Sequence, residues 1–311
     1  MIKITKHKKI WFGLSIVLMV LAVAFLFVFG LKPGIDFTGG SIMELEYKEA
    51  RPSNQEILEK LKDFDLGTIY VQPTGEKGMI IRMKDISEQT HQEILGVLSQ
   101  ETQMIPGQEG EMEMQINITD LEEIRFESIG PTIGRELRDK TNIVAIAALL
   151  SMIIYIALAF RKIKRPLKSW QYGIASVIAL FHDILIPLGA FAVLGKLYNV
   201  EITIPVITAL LAVLGYSINN TVVVFDRIRE NLLKRGESFE DTVDISISQT
   251  LSRQINTSLT TLFVAGAIFF LGGATLHYFS LALMLGILAG TYSSIFLAGN
   301  LLVAWYSLKR K

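Results

Sequence analysis

The chain alternates between long apolar tracts and one long polar stretch. Runs of about 20 apolar residues, enough to cross a bilayer as a helix, recur six times, at 10–30, 142–160, 171–194, 203–225, 255–273 and 278–305. The last is longer than a bilayer requires, which tilt can absorb. Gly272, Gly273 and His277 separate it from the fifth. Residues 31–139 carry shorter patterns. SIMELEYK at 41–48 alternates apolar and polar, as a strand does. Residues 53–64 open on Ser53 and place Ile57, Leu58, Leu61 and Phe64 at helical spacing. TIYVQPT and GMIIRMK predict two strands joined by a Pro- and Gly-rich turn. Residues 87–100 predict a second amphipathic helix, and EMEMQINIT at 111–119 alternates strictly, as a half-buried strand. The order β-α-β-β-α-β is that of a ferredoxin-like sandwich. The predicted fold is an α-helical polytopic membrane protein of six transmembrane helices with a small α+β ferredoxin-like extracytoplasmic domain. Its parts are the N-terminus and first helix (1–30), the outer domain (31–139) and a five-helix bundle (140–311).

Composition agrees with this. Half of the residues (50%) are hydrophobic, which is unusual for a soluble chain of 311 residues. The 30 basic and 30 acidic residues cancel, so the informative quantity is where the basic ones lie. Lys3, Lys6, Lys8 and Lys9, the loop RKIKRPLK at 161–168, the group Arg227, Arg229, Lys234 and Arg235, and the end Lys309-Arg310-Lys311 all fall on one side of a six-span protein. The positive-inside rule predicts both termini in the cytoplasm and 31–139 outside. The first run continues through FLFVFG beyond a possible cleavage point at Ala24, so it is expected to be an uncleaved signal anchor. There is no cysteine, which excludes disulfides and thiolate metal sites. No phosphate loop, dinucleotide fingerprint, zinc spacing or nucleophile triad appears, so neither an enzyme nor a cofactor, metal or nucleic-acid site is expected. His91, on a predicted surface helix, is expected to be solvated.

The remaining chemistry lies in the spans, where ionisable groups are expensive and tend to be functional. His182 and Asp183 fall near the middle of the third run. The fourth holds Tyr216, Ser217, Asn219, Asn220 and Thr221 in its inner half, with Asp226 and Arg227 at its end. Arg253, Asn256 and Thr257 open the fifth. Taken singly, Ser217, Asn219, Thr257 and Ser258 are read as hydrogen bonding between neighbouring helices before function, and interfacial snorkelling suits Arg253 equally. A carboxylate at mid-membrane has fewer bland explanations. GILAGTYSS at 286–294 reads as close helix packing.

Several of these stretches resemble one family. GIDFTGGS, containing Gly34, Asp36, Gly39 and Gly40 just after the first run, is similar to the signature of the SecD/SecF protein-export membrane proteins. GYSINNTVVVFDRIREN, the HDI of the third run and QTLSRQINTSLTTL resemble the SecF side of that family. The likeness covers nearly the whole chain, and the length fits a separate SecF chain. It implies half of a resistance-nodulation-division transporter core, with SecD supplying the other half. It further implies assistance to polypeptide translocation and release on the outer side, powered by a proton or sodium gradient and by no bound cofactor. The implied partners are SecD, the SecYEG translocon, YajC and YidC, the translocating polypeptide and the lipid bilayer. The implied ion-coupling candidates are Asp183, His182, Asn220 and Arg253, with Asp226 and Arg227 ordering a helix end.

One position departs from the family pattern. Asn220 stands where its members usually carry aspartate, and an amide takes up no proton near neutral pH. Three readings follow: SecD holds the titrating carboxylate, which is preferred; coupling uses sodium or passes through Asp183; or the amide is an engineered change. Two rival functions stay open, a half of an ion-coupled lipid or small-molecule exporter and a non-transporting assembly scaffold.

Overall fold

The computed structural model describes residues 3–49, 51–106, 112–118, 121–161, 166–234 and 238–310. The basic loop expected at 161–168 falls partly outside them. Chain contacts define two units, residues 33–140 and residues 1–32 together with 141–311.

In the first unit a short helix α2 (Ile35–Thr38) leads into β1 (Gly40–Tyr47), followed by α3 (Asn54–Lys60), β2 (Tyr70–Thr74), β3 (Gly78–Met83), α4 (Glu88–Leu98), β4 (Gln100–Pro106), β5 (Met112–Ile118) and β6 (Leu121–Ile129). Four strands make one antiparallel sheet in the order β2-β3-β1-β6. Met43 and Leu45 of β1 and Met79, Ile81 and Met83 of β3 pack with Ile57 of α3, Leu61 just after it, and Ile94 and Leu98 of α4. Ser53 caps α3, accepting from the Glu56 N–H while Glu56 accepts from the Ser53 N–H at 2.7 Å.

The ferredoxin-like arrangement is present, with one substitution of parts. The strand expected at 111–119 is β5, of which 111 and 119 lie outside the described residues. It pairs with β4 in a separate hairpin, and β6 takes the place beside β1. His91 also corrects an expectation. It is only 4% exposed, stacks on Phe126 at 3.7 Å and sets Nε2 2.8 Å from Glu123. Helical spacing alone put it on a solvent face; the unforeseen β6 buries it.

Gly39 and Gly40 begin β1 with φ of 74° and 127°. A Cβ on Gly39 would lie 2.9 Å from the Pro131 Cα, and one on Gly40 would lie 2.9 Å from the Met83 carbonyl oxygen. The paired glycines are therefore required twice, by backbone conformation and by contact.

In the second unit a 3₁₀ turn (Thr5–His7) precedes α1 (Lys8–Phe29). The later helices are α5 (Pro131–Ala159), α6 (Ser169–Tyr198), α7 (Ile204–Lys234), α8 (Phe239–Leu271), α9 (Ala274–Tyr292) and α10 (Gly299–Arg310). A π-helical turn, Ser293–Ala298, joins α9 to α10, so together they form the sixth span. All six predicted spans are long and apolar enough to cross a membrane. Helices α6, α7 and α9 form the buried centre, while α1 and α5 keep most of their surface exposed. Close approach depends on small residues. A Cβ at Gly189 of α6 would meet Ala22 of α1 at 2.6 Å, and one at Gly286 of α9 would meet Val213 of α7 at 2.3 Å. At the basic end of the bundle, buried Asp244 of α8 accepts from the Thr5 N–H at 2.9 Å and the Thr5 hydroxyl at 2.7 Å.

Replacing Gly39 with alanine is expected to destabilise the 33–140 unit by about 2 kcal/mol, the scale for a glycine-only conformation. Hydrogen exchange at β1 amides in the full chain, faster by more than about tenfold, is the measurement. Gly96→Ala in α4, where nothing lies within 4 Å, is expected to stabilise by about 0.5–1 kcal/mol.

Candidate functional site

Helix α6 carries Asp183 near the midpoint of its 30 residues. Its carboxylate and the adjacent His182 ring are both fully buried. His182 Nδ1 lies 2.8 Å from Asp183 Oδ1, an approach that an N–H makes to a carboxylate. Two hydroxyls donate to Asp183 Oδ2: Ser217 from α7, and Ser293 from the π-helical turn at 2.7 Å. A buried carboxyl group thus has three hydrogen-bonding partners and ties three spans at one point, with no lysine or arginine beside it among the described residues. Hydrogen bonds of this number offset part of a desolvation cost that would otherwise reach several kcal/mol.

The backbone is adapted to the same point. Pro187 stands four residues after Asp183. It has no N–H, so the Asp183 carbonyl lacks its helical donor. Gly290 lets α9 close on the cluster, since a Cβ there would lie 3.2 Å from Ser217 Cβ and 3.4 Å from Asp183 Oδ2. The π turn re-aims two consecutive serines. Ser293 reaches Asp183, and Ser294 donates to Gln254 Oε1 of α8 at 2.6 Å. Asn300 donates to the Phe296 carbonyl inside the widened turn at 2.7 Å. Widened turns of this type mark functional positions in many helices.

From His182 the network continues to α1. Its ring stacks on Tyr292 at 5.7 Å, and the Tyr292 phenol donates to the Trp11 carbonyl at 3.0 Å and accepts from Ser15 at 3.2 Å. The His182 Nε2 is buried without a hydrogen-bond partner among the described residues.

The other sequence-predicted residues of the spans divide into four groups. Tyr216 donates to Ser258 at 2.9 Å, and Ser258 meets Thr291 at 2.6 Å, joining α7, α8 and α9. Asn220 and Thr221 are buried in the bundle, where Asn220 Nδ2 and Thr221 Oγ1 have no partner among the described residues. Asn219, Arg253, Asn256 and Thr257 are exposed, so the structure does not bring Arg253 to Asp183 or to Asn220. Thr257 is satisfied locally by the Arg253 carbonyl at 2.6 Å. At the helix end Asp226 pairs with Arg229 at 2.9 Å, while Arg227 crosses to Gln249 of α8 at 2.6 Å. Asn231 extends that link to Ser246 at 2.8 Å. Ser293, Tyr292 and Gln254 were not foreseen as site residues. The small-residue stretch around Gly290 contained Tyr292 and Ser293, but only as packing, and Gln254 lay in the QTLSRQINTSLTTL stretch without being singled out.

Residues 110–308 match the family described as protein export membrane protein SecD/SecF, C-terminal, and residues 24–50 match the SecD/SecF GG motif. The chain belongs to the SecD/SecF protein-export family. Among its members it is similar to the protein translocase subunit SecF of Thermobaculum terrenum, with 39% identity across 98% of this chain and 94% of that one. It is also similar to the SecF of Vibrio alginolyticus, with 36% identity across 95% and 87%. The crystal structure of SecDF from Thermus thermophilus, a translocon-associated membrane protein, superimposes with a TM-score of 0.78 at 31% identity. It matches all of this chain, which spans 39% of that SecDF chain. A super-membrane-facing form of SecDF gives 0.66 at 32% identity. The GG motif of the family is the Gly39-Gly40 pair whose steric requirement was derived above.

Ser293→Ala removes one donor to a buried carboxylate and is expected to lower stability by about 1–2 kcal/mol. Gly290→Val is expected to cost more, by forcing α9 off α7. Thermal unfolding of the purified chain in detergent, read against wild type, ranks the two.

Proposed function

We propose that this chain is the SecF half of a heterodimer with SecD, in the cytoplasmic membrane of a bacterium. Both termini are cytoplasmic and the 33–140 unit lies outside. The pair assists the SecYEG translocon, in company with YajC and YidC, and draws on an ion motive force to promote passage and release of the polypeptide.

The observation that carries the reading is a polar stripe left uncovered in the apolar part of the bundle. Asn219 of α7 and Arg253 and Asn256 of α8 are exposed, and none of their side chains has a hydrogen-bond or ion-pair partner among the described residues. Arg253, Asn256 and Thr260 recur at helical spacing on one face of α8. Lipid tails cannot satisfy such groups, so the face fits protein rather than bilayer. A second transporter half supplies that cover, and sites of paired transporters lie at such interfaces.

Asp183 is the charge-changing group in this half. With its carboxylate ionised, Oδ2 accepts from both Ser217 and Ser293. A proton on that oxygen makes it a donor, so one hydroxyl must rotate to accept it, and with the charge gone the hydrogen bonds that tie α7 to the π turn weaken. A charge carried across the membrane delivers about 2.3 kcal/mol per 100 mV, comparable to the hydrogen bonds exchanged. That is enough to bias a two-state helix arrangement. Asn220 serves as a neutral packing residue.

The test is the proton-gradient dependence of polypeptide export in vesicles containing this chain, SecD and the translocon. Asp183→Asn is expected to abolish the gradient-dependent part and leave the ATP-driven part. Asn220→Asp is expected to add nothing. Full gradient dependence in a well-folded Asp183→Asn protein rejects the role of Asp183. Rescue of an otherwise gradient-insensitive chain by Asn220→Asp moves the role to position 220. Cysteines at Asn219 and Asn256 are expected to cross-link to SecD; capture of lipid-soluble reagents alone would argue against the interface.

A further inference from the structure

A second site lies where α6 begins and α10 ends, sharing no residue with the Asp183 network or the α8 stripe. Lys168, Trp170, Gln171, Trp305, Leu308 and Lys309 line a cavity of about 350 Å³. We propose that this cavity binds the phosphate headgroup of an anionic phospholipid.

The chemistry of the lining supports that ligand. Both lysines are exposed, neither has an ion-pair partner among the described residues, and no carboxylate lines the cavity. The two lysines reach the cavity from different spans, Lys168 just before α6 and Lys309 near the end of α10, so like charges line it without compensation. An anion between them relieves that repulsion. Lys168 is fixed from below: Leu167 is fully buried, and the Lys168 N–H donates to Gln171 Oε1 at 2.7 Å. The indoles of Trp170 and Trp305 meet edge to face at 5.0 Å, one from each helix. Trp170 is still 52% exposed, a large aromatic face with nothing over it.

Position selects a lipid over a free anion. The cavity sits at the ends of two membrane spans, Ser169–Tyr198 and Leu276–Lys309, and therefore at the bilayer boundary. Indoles partition to that boundary, and basic pockets between spans take anionic headgroups. Leu308 and the indoles offer apolar surface to the glycerol and upper acyl chain while the ammonium groups hold the phosphate. A diester with one negative charge and no cationic headgroup, such as phosphatidylglycerol, fits. The choline of phosphatidylcholine would face two like charges.

The test uses the full chain in phosphatidylcholine bilayers and its tryptophan fluorescence. Phosphatidylglycerol and phosphatidylcholine brominated on the acyl chain are titrated separately at equal mole fractions. Brominated phosphatidylglycerol is expected to quench preferentially. Lys168→Gln and Lys309→Gln are each expected to lower that preference by about fivefold, the effect of one basic residue at an anionic surface. Lys9→Gln makes the same charge change elsewhere and is expected to leave the preference intact. The three replaced lysines are exposed, so the variants keep their fold, and an unchanged emission spectrum without bromine checks this. Equal quenching by the two lipids overturns the proposal. So does an equal effect of Lys9→Gln, which reduces the preference to diffuse surface charge. Displacement by millimolar inorganic phosphate overturns the lipid assignment in favour of a free-anion site.

Discussion

The membrane part of this protein depends on one buried carboxyl group. Asp183 sits near the middle of a span, and no arginine or lysine approaches it among the described residues. Its stability in that place rests on three hydrogen-bonding partners, His182 beside it, Ser217 across on α7 and Ser293 in the π turn. Short hydroxyls reach a carboxyl group only when helix axes are close, so Asp183 dictates the packing around it. Gly290 supplies the closeness, since a side chain there would touch both Ser217 and Asp183. The π turn supplies the direction, because one extra residue rotates Ser293 toward α6 and leaves Ser294 facing Gln254. Pro187 leaves the same residue's carbonyl without its helical partner. Three departures from regular helix packing thus converge on one carboxyl group. Such local irregularities cost stability and concentrate where a function needs them.

The six spans were legible because each is a long apolar run, and the bilayer admits little else. Asp183 was legible for the same reason, as a charge where charges are costly. Its partners were not. Serine in a membrane helix has no periodic signature that separates a ligand of a carboxylate from one bonding its own i−4 carbonyl, as Ser280 does with Leu276. The clasp between Thr5 and Asp244 joins residues 239 positions apart, beyond any local pattern. Arg253 and Asn220 were grouped with Asp183 through the family resemblance. Side-chain direction divides them, because Asn219 and Asn220 are about 100° apart on a helix and only one of them can face outward.

The outer unit shows how a strand escapes notice. β6 was missed because its apolar residues keep no period of two. The register with β1 pairs Arg125 with Glu44 and Glu123 with Leu45, so Ile124 has no opposite number. That bulge inserts one residue, which sets Leu121 and Phe126 toward the core and leaves Ile124 half exposed. β5 obeys strict alternation and was therefore preferred, although it belongs to the hairpin. The same misplacement put His91 in solvent, since the surface of α4 that bears it is covered by β6.

The contrast between the two polar regions of the bundle carries the functional argument furthest. Around Asp183 every strong donor is supplied within this chain, and each comes from a different helix or turn. On the outer face of α8 the Arg253 and Asn256 side chains are exposed and have no partner among the described residues. A subunit that worked alone would have reason to bury the second region as it buries the first. A subunit that works in a pair has reason to keep them distinct. Under the proposed function the internal cluster would sense the charge of one carboxyl group through hydroxyls that can rotate, and the external stripe would meet what the partner presents. The two are linked by short paths, since Ser294, one residue beyond Ser293, binds Gln254, and Gln254 follows Arg253 on α8. Under the proposed function that hydrogen bond would carry a shift of the π turn to the helix that bears the interface.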